Sequence, residues 1–305
     1  MTTILLIGKT GQVGWELQSS LAPLGRLIAL DRTQLDLTRS PSIRKAIRSA
    51  SPEIIVNAAG YTAVDKAETE PDLAMQVNAT APGVMAEEAA RLGALLVHYS
   101  TDYVFDGTLS RPYVEEDEPN PLNVYGKTKL AGERAIAASG CAHFIFRASW
   151  IYSNRGTNFV LTMLRLARER KELAVVDDQI GSPSWARDLA QSTAALLRAA
   201  KRATDESGIY HLSAGGYASR YDFAAKIVET ARLLSSEKTG WATVRPTTTA
   251  QYPLPAKRPL NAATDKSRIR RVFGIEMPAW ETQLRSFFAD LARTSRVLYA
   301  TGNRP

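Results

Sequence analysis

The feature that most constrains the fold is a rhythm in the first half of the chain, where short apolar runs alternate with longer amphipathic stretches. The apolar runs are 4–7, 27–30, 54–56, 95–99 and 144–147. Between them, 13–22, 41–49, 72–92 and 125–138 carry apolar residues at helical spacing. Strands separated by the length of a helix cannot pair as hairpins, so they pair in parallel, and a parallel sheet is covered on both faces. The expectation is an α/β fold built on a doubly wound parallel sheet.

Past Trp150 the rhythm changes. Helical spacing dominates at 158–170, 184–200 and 220–233, with short strand candidates at 173–176 and 209–212. Pro246, Pro253, Pro255 and Pro259 make 246–259 read as an irregular crossing segment. A closing helix follows, with Trp280, Leu284, Phe287, Phe288 and Leu291 on one face. We therefore expect a sheet domain over 1–150, with parts of 174–232 returning to it. A smaller, discontinuous lobe takes 151–173 and 233–305, with disorder expected only at 294–305.

Bulk properties exclude several classes. The net charge of +7 is scattered. Its densest cluster, Arg165, Arg168, Arg170 and Lys171, lies among leucines without interleaved aromatics, which reads as a solvated face and not a nucleic-acid surface. The first eight residues lack a basic start, and their apolar run is too short for a signal peptide or a membrane span. The single Cys141 forms no internal disulfide and fits a cytoplasmic protein. His98, His143 and His211 stand far apart, so no metal site is expected.

Directly after the first strand comes Gly8-Lys9-Thr10-Gly11-Gln12-Val13-Gly14. Glycines at a strand–helix turn let a pyrophosphate approach the helix N-terminus, where unpaired N–H groups favour an anion. With this turn the sheet reads as a Rossmann-type dinucleotide site. The second strand ends at Asp31, suited to the adenosine ribose hydroxyl of NAD, and Arg32, suited to the 2′-phosphate of NADP. Both are present, so NADPH and NADH stay open. Asp36 and Leu37 either flank the adenine or belong to an ordinary helix cap. Asn57, Ala58, Ala59 and Gly60 are small enough to let the backbone lie against a cofactor, and equally suit tight strand–helix packing.

Ser100-Thr101-Asp102-Tyr103 ends the fourth strand, at the sheet edge where open α/β folds bind ligands. Tyr125 and Lys129 follow four residues apart, on one helix face. Reducing a carbonyl builds negative charge on oxygen, which must take a proton as it forms. A neighbouring ammonium lowers a phenol's pKa toward the working range. Lys129 can also hold the nicotinamide ribose, while the Thr101 hydroxyl orients the carbonyl.

These residues resemble the extended short-chain dehydrogenase/reductase superfamily and, within it, the dTDP-4-dehydrorhamnose reductases. The similar stretches are 8–17 (GKTGQVGWEL), 56–59 (VNAA), 61–68 (YTAVDKAE), 98–105 (HYSTDYVF), 121–133 (PLNVYGKTKLAGE), 146–150 (FRASW), 178–183 (DQIGSP) and 258–261 (RPLN). The resemblance implies NAD(P)H-dependent reduction of the C4 carbonyl of dTDP-4-dehydro-L-rhamnose by a monomer or weak homodimer. It places Gly11, Gln12 and Val13 at the pyrophosphate and Asp31, Asp36 and Leu37 at the adenosine. Gly60, Tyr61, Thr62 and Tyr99 would line the cofactor cleft. Thr101, Asp102 and Trp150 would meet the sugar, and Thr101, Tyr125 and Lys129 would be catalytic. Gln179, Asn158 and Arg258 are candidates for the nucleotide and diphosphate, each with an equal structural alternative.

Two departures stand out. Gly60 replaces a more usual alanine. Arg187 stands where some members carry an acidic residue linked to magnesium-dependent dimerisation, so no metal-bridged dimer is expected. Nucleotide-sugar dehydratases need a second carboxylate beside the threonine, where this chain has Tyr103. Epimerase-reductases need further acid–base groups, and Cys141 and His143 start a buried strand. The regulatory subunit of methionine adenosyltransferase is also similar and keeps the tyrosine–lysine pair. The complete sugar-side set favours an enzyme over that binding partner. A reductase of another nucleotide-4-keto-sugar stays open.

Overall fold

The computed structural model describes residues 1–200 and 205–294. Six parallel strands form one sheet: β1 (Thr3–Ile7), β2 (Arg26–Leu30), β3 (Ile54–Asn57), β4 (Leu95–Thr101), β5 (His143–Ala148) and β6 (Gly208–His211). Their order across the sheet is β6-β5-β4-β3-β1-β2. The strand order reverses between β1 and β3, where Ile4–Asn57 registers pair Ile4 with Ile54 and Ile7 with Asn57. Such a reversal opens a crevice at the carboxyl ends of the strands.

Apolar residues of both parities in each strand are explained by two covered faces. Ile4 and Leu6 join Val56, Val97, Phe144 and Phe146 on one face, packed by α1 (Gln12–Leu21) through Val13 and Leu17. Leu5 and Ile7 join Ile55, Leu96 and Ile145 on the other. That face is covered by α2 (Ser40–Ala50), α3 (Ala81–Leu92) and α4 (Val124–Ala138), through Ile43, Val84 and Ile136.

A second core gathers α5 (Phe159–Glu169), α7 (Arg220–Leu234) and α9 (Trp280–Thr294), while α6 (Ala186–Ala199) and α8 (Ser267–Phe273) stay outside it. Val160, Phe223, Ile227, Trp280, Leu284, Phe287, Phe288 and Leu291 pack together there with Tyr152 and Leu173. Leu189 of α6, by contrast, packs on the sheet beside α1. So do Ile269 and Phe273 of α8, although 233–305 was expected in the second lobe throughout. The stretch expected to be disordered lies, beyond residue 294, outside the described residues.

The run 72–92 is helical as expected, with one π-turn, Gln76–Thr80, inserted between Pro71–Met75 and Ala81–Leu92. Pro82, which lacks an N–H, sits just after that turn. Two local expectations are corrected. Ser184–Trp185 is not helical but pairs in parallel with Ile151–Tyr152, and the helix begins at Ala186. Pro246 lies in a two-stranded sheet, Thr243–Thr247 against Glu172–Val176, on an edge where its missing N–H is tolerated.

Candidate active site

At the carboxyl edge of the sheet lies a cleft of about 750 Å³. Its first wall is the turn after β1, where Gly8, Thr10, Gly11, Gln12 and Val13 line it. Helix α1 opens at Gln12 without a side-chain cap, leaving its first N–H groups to an anion in the cleft. Close packing of that helix on the turn depends on Gly14, where a Cβ would overlap the Gly8 carbonyl. The donor set and the space fit a dinucleotide.

Asp31, Arg32 and Leu37 form the adjoining corner. Asp31 Oδ1 accepts the Thr33 N–H at 2.9 Å and hydroxyl at 2.6 Å, with Lys9 at 3.4 Å from Oδ2. These contacts hold its carboxyl below the usual range, the Thr33 hydrogen bonds most. Ala58, Ala59, Gly60 and Thr62 continue the wall, and Tyr99, Thr101, Asp102, Tyr125, Lys129 and Trp150 complete it.

Four expected residues do not line the cleft among the described residues. Asp36 accepts from the Thr38 hydroxyl at 2.7 Å. Tyr61 donates its hydroxyl to Glu70 at 2.7 Å and its N–H to Asn78 at 2.8 Å. Gln179 donates to the Thr249 hydroxyl at 3.0 Å. Arg258 makes a two-pronged ion pair with Asp65, both contacts 2.6 Å. Asn158 does line the cleft, but its side chain caps α5, accepting the Leu161 N–H at 3.1 Å and donating to the Ser153 carbonyl at 2.8 Å.

Thr101 and Asp102 sit at the sheet edge, both buried. Asp102 accepts the Ser149 hydroxyl at 2.7 Å and the Thr101 hydroxyl at 3.1 Å. Burial outweighs those bonds and raises its carboxyl to about 6. Behind them, Arg147 and Glu133 form a buried ion pair at 2.7 Å, and Glu133 also accepts the Ser100 hydroxyl.

The tyrosine differs from its expected state. Burial pushes the Tyr125 phenol up, while the Thr101 hydroxyl pulls it down less strongly. Lys129 does not offset this. Its own burial draws it down to about 8, and its Nζ donates to the Tyr99 carbonyl at 2.5 Å. A phenol raised in this way keeps its proton at neutral pH.

Trp150 is held in left-handed backbone, φ 44°, a conformation uncommon for a bulky residue and costing on the order of 1–3 kcal/mol. Its indole lies against Gly181, where a Cβ would overlap the ring. On it stacks Arg220, 3.6 Å from guanidinium carbon to ring centroid. Arg220 and Arg155 both line the cleft and were not anticipated. Arg220 is the first helical residue within the Ser219–Asp222 capping box, so sequence marks it as a helix start, but nothing local marks its approach to Trp150. Asn78 was also missed. From the π-turn it bonds the Tyr61 N–H and carbonyl and the Thr128 hydroxyl, clamping the Gly60 loop onto α4.

With this geometry in hand, comparison with known proteins is informative. Residues 1–293 match the family model described as the RmlD substrate binding domain. The dTDP-4-dehydrorhamnose reductase of Escherichia coli (strain K12) is 45% identical over 302 residues, covering 96% of this chain and 99% of that protein. The reductase of the same name from Burkholderia thailandensis is 45% identical over 282 residues, covering 91% and 95%. Among solved structures, the Bacillus anthracis dTDP-4-dehydrorhamnose reductase in complex with NADP superposes with a TM-score of 0.87 at 36% identity, covering 95% of this chain and 99% of that one. The Thermus thermophilus UDP-glucose 4-epimerase, at 17% identity and a TM-score of 0.78, shares the fold, with 96% and 99% covered. The chain therefore belongs to the RmlD substrate binding domain family, that of the dTDP-4-dehydrorhamnose reductases.

Proposed function

We propose that the chain reduces the C4 carbonyl of dTDP-4-dehydro-L-rhamnose to give dTDP-L-rhamnose, with NADPH or NADH as reductant. The observation that carries this reading is one continuous cleft with Thr101, Tyr125 and Lys129 in its wall, between the glycine turn and Trp150. Reduced nicotinamide, when bound, supplies the hydride to C4. Gly11, Gln12 and Val13 hold its pyrophosphate, and Asp31 with Arg32 its adenosine end. Thr101 orients the carbonyl, and Tyr125 gives its hydroxyl proton to the oxygen as the C4–H bond forms. Asp102 and Trp150 position the sugar ring, and the Arg220 cation stacked on Trp150 favours the substrate's negative charge nearby.

The sheet side of the cleft, 1–150 with returning segments of 174–232, holds the dinucleotide. The second lobe, 151–173 with parts of 233–305, holds the nucleotide sugar. The protein works as a monomer or weak homodimer in the cytoplasm; no helix among the described residues is long and apolar enough to cross a membrane. Following nicotinamide oxidation with dTDP-4-dehydrorhamnose, and with each reduced cofactor in turn, tests the reading. Oxidation dependent on the sugar is expected. Its absence with both cofactors, while the chain still binds them, would point to a regulatory binding subunit.

A further inference from the structure

Lys129 is held from behind by hydrogen bonds that run through three elements and that the reaction, as described, leaves unused. Its Nζ lies 3.1 Å from Nε2 of His98, a residue of β4 only 1% exposed. Nδ1 of His98 lies 3.0 Å from the Asn57 side-chain amide nitrogen at the end of β3. Asn57 Oδ1 in turn accepts the Ala59 N–H at 3.1 Å.

Donor and acceptor chemistry gives this chain a direction. A backbone N–H can only donate, so the Asn57 atom facing Ala59 is the oxygen, and its NH₂ faces His98. That NH₂ can only donate, so Nδ1 accepts. A neutral imidazole has one N–H, which must then sit on Nε2, aimed at Lys129. His98 is neutral, because burial holds it well below the usual histidine range. The one acceptor Lys129 can offer an N–H is the lone pair of an uncharged amine. Its two hydrogens are then free for the Tyr99 carbonyl and for the cleft. An ammonium would set hydrogen against hydrogen unless His98 changed tautomer and Asn57 turned its amide, driving its NH₂ onto the Ala59 N–H.

We propose that His98 is a positioning residue that presents an N–H to Lys129 and so favours its uncharged amine over the ammonium, making the lysine an exchangeable proton carrier for Tyr125. The inference rests on Lys129 and Tyr125 being the catalytic pair. Once Tyr125 has given its proton away, the phenolate must be recharged before the next turnover. A lysine that takes and releases a proton near neutral pH serves this, whereas a permanent ammonium does not. Of the other groups facing Lys129, Glu133 on its own helix favours the ammonium but is tied to Arg147 of β5 and to Ser100. Tyr125, on the same helix, is neutral. Burial and His98 both act toward the amine.

The direct test is the tautomer. Nitrogen NMR of the three histidines, with His98 assigned by its loss in His98→Gln, should show the free protein protonated at Nε2 and bare at Nδ1. A proton on Nδ1 overturns the proposal, whatever the activity. The second test is the pH profile of turnover. Gln at 98 offers Lys129 a carbonyl, and Asn57→Asp moves the imidazole proton to Nδ1. Each should shift the Lys129-dependent limb to higher pH by about one unit or more. Limbs that stay in place in both variants, with only a uniform loss of rate, overturn it. Failure of the catalytic reading looks different: Lys129→Met would then leave turnover intact.

Discussion

At Asp102, burial and hydrogen bonding oppose each other and burial wins, leaving the carboxyl at about 6. Above that pH it is a carboxylate able to accept a sugar hydroxyl; below it, one oxygen carries a proton and that acceptor is lost. The KM for the sugar should therefore rise as pH falls through about 6, and Asp102→Asn should flatten this dependence. A KM in wild type that does not move between pH 5 and 8 would remove Asp102 from the sugar site. Tyr125 makes a sharper case. Tyr125→Phe should lower kcat by about 100-fold or more while cofactor affinity, read by fluorescence titration, stays nearly unchanged. Lys129→Met should impair both turnover and cofactor binding. Normal binding with lost turnover would mean that Lys129 acts on the tyrosine alone.

Elements are fastened by contacts that decide where these residues stand. The strand Ile180–Gly181 passes so close to the Trp150 indole that Gly181→Ala should displace the ring. The expected result is a raised KM for the sugar with cofactor binding intact; unchanged sugar kinetics would show that Trp150 has room to shift. Helices α2 and α3 are joined by Glu88, 1% exposed, which binds Arg48 at 2.7 Å, Arg91 at 2.9 Å and Arg44 at 3.0 Å. Its carboxyl lies at about 2 in the fold against 4.5 unfolded, the Arg48 hydrogen bond being the largest cause. The folded value is the lower one, so the contribution is complete above about 4.5 and lost as pH falls toward 2. Glu88→Gln should cost about 1–3 kcal/mol near neutral pH, and its melting temperature should fall less steeply in acid than that of wild type. Parallel slopes for the two proteins would refute this role.

Across the whole molecule, the cleft sits where the sheet core meets the second core. Arg187 ties these bodies together, bonding Glu16 of α1 at 2.9 Å and Asp290 of α9 at 2.7 Å. A guanidinium between those carboxylates opposes a bound cation, and among the described residues no group of three or more His, Cys, Asp or Glu is placed to hold a metal. Light scattering with and without magnesium should therefore give the same mass. A dimer that forms only with magnesium would overturn the expectation that no metal bridges two copies.

Much of this was legible in local pattern. Strands β1 to β5 and the helices between them show in alternating apolar runs, because a sheet covered on both faces demands apolar residues at every strand position. Thr101, Tyr125 and Lys129 show in spacing, because four residues span one helical turn and the hydroxyl ends a strand. Where expectation and structure part, the deciding contacts come from distant segments. Ser184 pairs with residue 151 instead of joining the helix that follows, and Tyr61, Gln179 and Arg258 find Glu70, Thr249 and Asp65. Arg220 reaches Trp150 across some seventy intervening residues. Sequence by itself determined the sheet, the glycine turn and the pairing of Tyr125 with Lys129 on one helix face, since these follow from backbone periodicity and nearest-turn geometry. The state of that pair was decided by tertiary structure alone. A phenol kept protonated and a lysine drawn down and backed by His98 depend on burial and on hydrogen-bond partners that only the packed strands bring together.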